Sequence, residues 1–188
     1  LDAGRAKERE ADRQAKLLRR LRLYHFTDAR NVASIREHGG VFSAEQCEEL
    51  GIKVVAPGGD ENSQGSDREN GMDAYVHLCL RSEHPMEYRA RTDGRIEKSV
   101  FIPISSEVLE IDGVRFVPGM SNKKGIETYA LEEAIRDGHL EDRDLDALYQ
   151  WIHWGLNPDV YDRRVRAEKF EIIVPDFIPI DLLKLPNG

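Results

Sequence analysis

No apolar run in this chain is longer than a handful of residues, so the sequence offers no membrane-spanning helix. Cysteine is scarce. Cys47 and Cys79 stand far apart, without metal-ligand spacing, which excludes a disulfide framework and points to a reducing, cytoplasmic compartment. Positive charge is not in surplus either: 27 Lys and Arg against 35 Asp and Glu leave a net charge of −8. That balance argues against an avid, non-specific grip on a nucleic-acid backbone. Local basic patches remain at Arg19-Arg20-Leu21-Arg22, Lys123-Lys124 and Arg163-Arg164-Val165-Arg166, each read first as a solvated face. The N-terminus is charged with no apolar core, so no secretory signal is expected. It opens on Leu1 rather than Met, which fits a domain excised from a longer protein.

What is present is a soluble globular balance over 188 residues, 40% hydrophobic and 33% charged, enough for one domain with a sizeable core. Residues 1–22 read as a charged helix or linker and 23–188 as the domain. The helical segment Ala3–Leu21 carries only a thin apolar stripe of Ala11, Ala15, Leu17, Leu18 and Leu21, which suits a connector or docking helix to an upstream domain better than a core element.

Lys169–Pro175 organises the rest. Ile172, Ile173 and Val174 run together, as in a strand buried on both faces, and Pro175 stops it. Glu171 sits at its mouth, where an ionised carboxylate must be exposed, paired with a cation or used by a ligand. Leu23–Thr27 is a second strand that carries His25 and Thr27 among aromatics. Together the two strands could build a cleft. Further strands are expected at Ala74–Leu80, Lys98–Ile104, Val108–Ile111 and Val114–Val117. Helices are expected at Asn31–His38, Ala44–Leu50, Thr128–Arg136 and Leu145–Trp154. The order has no βαβ repeat, which indicates α+β with a mainly antiparallel sheet. Ala56–Asp73, rich in Gly, Asn, Ser and Asp, reads as a disordered or functional loop whose only cation is Arg68.

Other motifs fail on chemistry. Asp142, Asp144 and Asp146 alternate like a calcium loop, but Ala147 stands where Gly is needed and His153 where the closing Glu belongs. Gly58-Gly59 and Gly65 fit no phosphate-binding loop. His77, His84, His139 and His153 have no paired ligand spacing and read as satisfied or solvent-facing. Trp151 and Trp154 read as core.

Taken in order, Leu23-Tyr24-His25-Phe26-Thr27, the Asn31–Ile35 helix ending at His38-Gly39, the Met72–Leu78 strand with Ser82, Pro85 and Met86, Val114–Val117 with Ser121-Asn122, and Glu171–Pro175 with Pro179–Leu183 resemble the DarT family of DNA ADP-ribosyltransferase toxins. Glu83 and His84 separate Ser82 from Pro85, a departure from that family's serine-proline-methionine run. The resemblance implies the ADP-ribosyltransferase fold, two small bent, mainly antiparallel sheets around a central NAD cleft with peripheral helices. It places catalysis on Glu171, with Glu168 as the competitor, and on Arg68. It places NAD, the co-substrate, against His25, Thr27, Asn31 and Tyr75, without a metal. It further implies transfer to a nucleobase of single-stranded nucleic acid, DNA favoured, by a toxin or defence effector held by an antitoxin. Transfer to RNA or protein, or an inactive nucleotide-binding module, are the alternatives.

Overall fold

Two strands, Tyr75–Cys79 and Glu171–Pro175, form the centre of the molecule, and their pairing sets the site. The computed structural model describes residues 2–57, 61–150, 155 and 157–186. In chain order the elements are α1 (Asp2–Arg20), β1 (Leu23–Asp28), α2 (Val32–His38), β2 (Gly40–Phe42), α3 (Ala44–Leu50) and α4 (Glu61–Asn70). There follow β3 (Tyr75–Cys79), α5 (Pro85–Thr92), β4 (Ser99–Ile104), β5 (Arg115–Val117), β6 (Tyr129–Ala130) and α6 (Leu131–Arg136). The chain continues through α7 (Asp142–Leu148), α8 (Pro158–Ala167), β7 (Glu171–Pro175) and β8 (Phe177–Pro179).

Six strands form one antiparallel sheet in the order β4-β1-β3-β7-β5-β6, and β2 pairs β8 in a second, two-stranded sheet. The expected α+β, antiparallel architecture with two sheets is therefore present, although one sheet is much the larger. The small sheet depends on Gly40: a Cβ there would lie 2.2 Å from the Ile178 carbonyl oxygen.

Strand β7 is buried along Glu171–Val174 because it lies inside the sheet. Its pleat divides the burial. Ile172 and Val174 enter the main core with Val76, Leu78, Ile102, Phe116 and Phe170, while Ile173 joins a small cluster with Met72 and Val117. Glu171 shares the face of Ile173. In the register Cys79 faces Glu171 and His77 faces Ile173, which makes His77 the diagonal neighbour of Glu171.

Several elements differ from the sequence expectations. Helix α1 does dock, but it also supplies the core: Leu17 is fully buried and Leu21 nearly so. Ala56–Asp73 is no loop throughout, since α4 occupies Glu61–Asn70 and Gly71, at φ 69°, ends it in the left-handed region. Val108–Ile111 is not a strand but part of a 3-10 turn, Ser106–Glu110, capped by the Ser105 hydroxyl, which competes with extended pairing. The Thr128–Arg136 helix starts only at Leu131, after β6, and the helix expected over Leu145–Trp154 is instead Asp142–Leu148. Trp151, His153 and Trp154 lie outside the described residues. No helix among the described residues is long and apolar enough to cross a membrane.

Candidate active site

A cavity of about 480 Å3 opens over β1, β3 and β7, a volume within the range of small-molecule sites. His25 and Thr27 from β1, Tyr75 and His77 from β3, Glu171 from β7, Asn31, His84, Ser121, and Asp67 and Arg68 from α4 all line it. Sequence reasoning thus named six residues that the fold brings to one cavity: His25, Thr27, Asn31, Arg68, Tyr75 and Glu171. Glu168 is not among them. It caps α8 and binds Arg81 at 3.0 Å and Arg164 at 3.1 Å.

Glu171 is not the solvent-facing strand-end carboxylate that its position suggests. It is only 3% exposed, because β3 and β5 flank it. Its Oε2 accepts from His77 Nδ1 at 3.0 Å, and its Oε1 accepts from the Ser121 N–H at 3.3 Å. His77 Nε2 donates to the Met72 carbonyl at 3.0 Å, so both ring nitrogens donate and the ring is an imidazolium. Burial opposes that charge, but the adjoining carboxylate outweighs it and lifts the His77 pKa to about 9. Burial likewise pushes Glu171 up, and the His77 cation, His84 and the Ser121 side chain pull it to a net value below the ordinary range. The Ser121 hydroxyl lies 3.0 Å from His77 Nδ1 and completes the cluster.

The remaining groups hold fixed protonation states. His25 Nδ1 donates to the His77 carbonyl at 3.2 Å, which leaves Nε2 as an acceptor in the cavity. Burial lowers the His25 pKa to about 4, so the ring is neutral. His84 accepts the Met86 N–H on Nδ1 at 3.3 Å, so its proton is on Nε2, and burial, acting first, lowers its pKa. That Nε2 is 4.0 Å from Glu171 Oε1, beyond hydrogen-bonding distance. Among the described residues, His84 Nε2 and Asp67 Oδ1 are the two buried side-chain polar atoms without a hydrogen-bond partner, and both belong to this cavity. Cys79, behind Glu171, is a buried thiol pushed up to about 12 by desolvation and then by that carboxylate, which makes it inert.

Asn31 is committed. Its Nδ2 donates to Thr27 Oγ1 at 3.0 Å and to the Val55 carbonyl at 2.7 Å, and its Oδ1 accepts the Val55 N–H at 2.8 Å. It fixes Thr27 and the cavity rim, with little capacity left for a ligand. Arg68 is exposed at the rim and pairs with Glu48 at 3.2 Å. The reading of His77 as satisfied holds, with Glu171 itself as a partner, whereas that of His84 as satisfied or solvent-facing is corrected: it is buried with one nitrogen unpartnered. The basic patch Arg163-Arg164-Val165-Arg166 is no groove. Arg163 and Arg166 bind the buried Asp144 at 2.8 and 2.6 Å, and Arg164 donates to the Ala147 and Gln150 carbonyls. Arg20 takes Asp142 and Asp146, so the aspartates that mimic a calcium loop serve ion pairs. His139 stacks on Tyr129 at 3.9 Å.

An apolar-lined cavity with a buried ionised carboxylate and three histidines of set protonation suits stabilisation of a cationic transition state. A family model described as ssDNA thymidine ADP-ribosyltransferase, DarT, matches residues 24–185. The chain belongs to the DarT family. Its fold matches Thermosipho africanus DarTG in complex with ADP-ribose, with a TM-score of 0.64 at 18% identity over 87% of this chain and 42% of that one. It also matches Thermus sp. 2.9 DarT in complex with ADP-ribosylated ssDNA, with a TM-score of 0.63 at 16% identity over 87% of this chain and 79% of that one. The same Thermus protein in complex with NAD+ gives a TM-score of 0.56 at 15% identity, with the same coverage. This DarT domain therefore spans less than half of the Thermosipho chain. Comparison with curated proteins finds no match. The resemblance, the fold and the NAD-dependent transferase class expected from sequence are borne out. The family description also specifies thymidine as the acceptor, a finer statement than the expected nucleobase with DNA favoured.

Proposed function

We propose that this domain transfers ADP-ribose from NAD to thymidine of single-stranded DNA, with Glu171 as the catalytic carboxylate. The observation that carries the assignment is the buried, ionised Glu171 held by His77 and the Ser121 N–H inside the cavity. Loss of nicotinamide leaves positive charge on the ribose. A carboxylate already fixed and desolvated opposes that charge without reorganising, help worth about 2.7–4 kcal/mol for one well-placed group. His77 is the positioning residue: it keeps Glu171 ionised and fixes its orientation. The His84 N–H, 4.0 Å from Glu171 Oε1, stands ready to donate to a ribose oxygen. His25 Nε2 accepts from the nucleotide, the Thr27 hydroxyl donates to it, Asn31 holds Thr27 in place, and Tyr75 supplies apolar surface. Arg68, at the rim, balances phosphate charge once it is released from Glu48.

The wider reading is a toxin or defence effector of the cytoplasm, restrained by an antitoxin. Glu171→Gln keeps the volume and a hydrogen-bonding group but removes the charge. It is expected to lower label transfer from NAD to a thymidine-containing single strand by at least about 100-fold, whereas Glu168→Gln stays near wild type. Loss of transfer in Glu168→Gln alone overturns the assignment.

A further inference from the structure

Glu171 accounts for one side of the reaction. The acceptor side needs a second group. In a thymine nucleoside the ring carries a single N–H, and its lone pair is delocalised into two carbonyls, so the nitrogen attacks poorly until it loses the proton. Glu171 is ill-suited to take that proton, because it must stay anionic against the ribose and both its oxygens are engaged.

Resting on the reading above, we propose that Asp67 is the general base for the acceptor, its unpartnered Oδ1 taking the thymine ring proton as that nitrogen attacks the ribose carbon. The carbon–nitrogen bond to nicotinamide breaks and its electron pair leaves with neutral nicotinamide. A carbon–nitrogen bond to thymine forms, and the proton passes to the Asp67 carboxylate and then to water. No oxidant or further co-reactant is needed.

Three observations place Asp67 there. Its Oδ1 is buried without a hydrogen-bond partner, the one such acceptor among the described residues, and the only other such atom, the donor His84 Nε2, lines the same cavity. Such an acceptor costs free energy unless a donor arrives. It projects from α4, whereas Glu171 projects from the sheet, so the two carboxylates reach the cavity from separate elements. Their environments also diverge. Burial, and then Glu171 and Asp73, raise the Asp67 pKa against the pull of His77, to about 6, while Glu171 is held low. Two carboxylates driven apart in this way can divide an anionic role from a proton-accepting one. Arg68 next in sequence pairs with Glu48 and does not neutralise Asp67.

The test compares wild type, Asp67→Asn and Asp67→Glu for label transfer from NAD to a thymidine-containing single strand between pH 5 and 8, with NAD affinity measured by calorimetry. Wild-type transfer should rise through about pH 6. Asp67→Asn should lose about 100- to 10,000-fold in rate with NAD affinity within about twofold, and Asp67→Glu should regain part of the rate. Transfer by Asp67→Asn within about threefold of wild type, a parallel loss of NAD affinity, or a wild-type profile flat through pH 6 overturns the proposal. Should Asp67→Asn fail to fold, Asp67→Glu and the wild-type profile still decide. Absence of DNA labelling by wild type would instead reject the reading on which the proposal rests.

Discussion

His77 carries a charge that its burial opposes, and the carboxylate of Glu171 is what permits it. The sign of the linkage follows from the raised pKa. With the folded value near 9 and the ordinary value at 6.5, the His77 contribution to stability is fully present below about pH 6.5 and is lost as pH rises through 9. Glu171, held low, contributes above its ordinary range and loses that contribution as pH falls through its folded value. The pair is therefore strongest between these limits. Nitrogen-15 NMR of the His77 ring is expected to show both nitrogens protonated at neutral pH, with deprotonation near 9. In Glu171→Gln the main opposition to burial is removed, with only the Met72 carbonyl and Asp67 left to favour the charge, and the ring should be neutral at pH 7. A neutral His77 in the wild type would contradict the account of the site. Little of this was legible beforehand. Glu171 and His25 stood out as polar residues on apolar strands. The ties from Glu171 to His77 and Ser121 cross 94 and 50 positions, so no local spacing announces them. The burial of Glu171 likewise depends on which strands flank β7, and composition does not encode that.

Helix α1 shows how far a periodic stripe can be trusted. Five apolar positions in a charged segment suggest a helix that docks, and it does, yet the stripe does not reveal that Leu17 ends in the main core beside elements over a hundred positions away. Its charged residues reinforce the contact: Arg13 donates to the Ile135 carbonyl and Arg20 bridges Asp142 and Asp146 on α7. Leu17→Ala is expected to destabilise the domain by about 2–5 kcal/mol, the usual range for a fully buried leucine. Urea denaturation measures this, and a change below about 1 kcal/mol would show that α1 is only an appendage. Helix α4 marks the opposite case. Glu61–Asn70 has no apolar residue to betray a face and carries Gly65 mid-helix, so propensity and periodicity both argue for a loop. It is a helix in its tertiary setting, with Gly71 ending it and Arg68 reaching Glu48 on α3. Asp67 gains its place in the cavity only through that helix.

At the scale of the whole molecule, the central strands were readable because β1, β3 and β7 are dense in β-branched and aromatic residues bounded by turns, but their order in the sheet was not. The boundaries of short elements such as β6 and the Ser106–Glu110 turn were not, because capping hydroxyls and pairing partners decide them. The molecular charge of −8 also acquires a physical sense. Arg20, Arg163 and Arg166, which belong to two of the basic patches, are paired with Asp142, Asp144 and Asp146, so these patches offer fewer free cations to the phosphates of a duplex. A cavity of this size can admit a splayed base, whereas a base stacked in a duplex must first be flipped out at a cost of a few kcal/mol. The most direct measurement incubates the domain with labelled NAD and four acceptors: a thymidine-containing single strand, the same strand in duplex, a single strand without thymidine, and a matched RNA. The account predicts strong labelling of the first alone. Equal labelling of the duplex or of the thymidine-free strand, or labelling of RNA or of the protein itself in place of DNA, would contradict it.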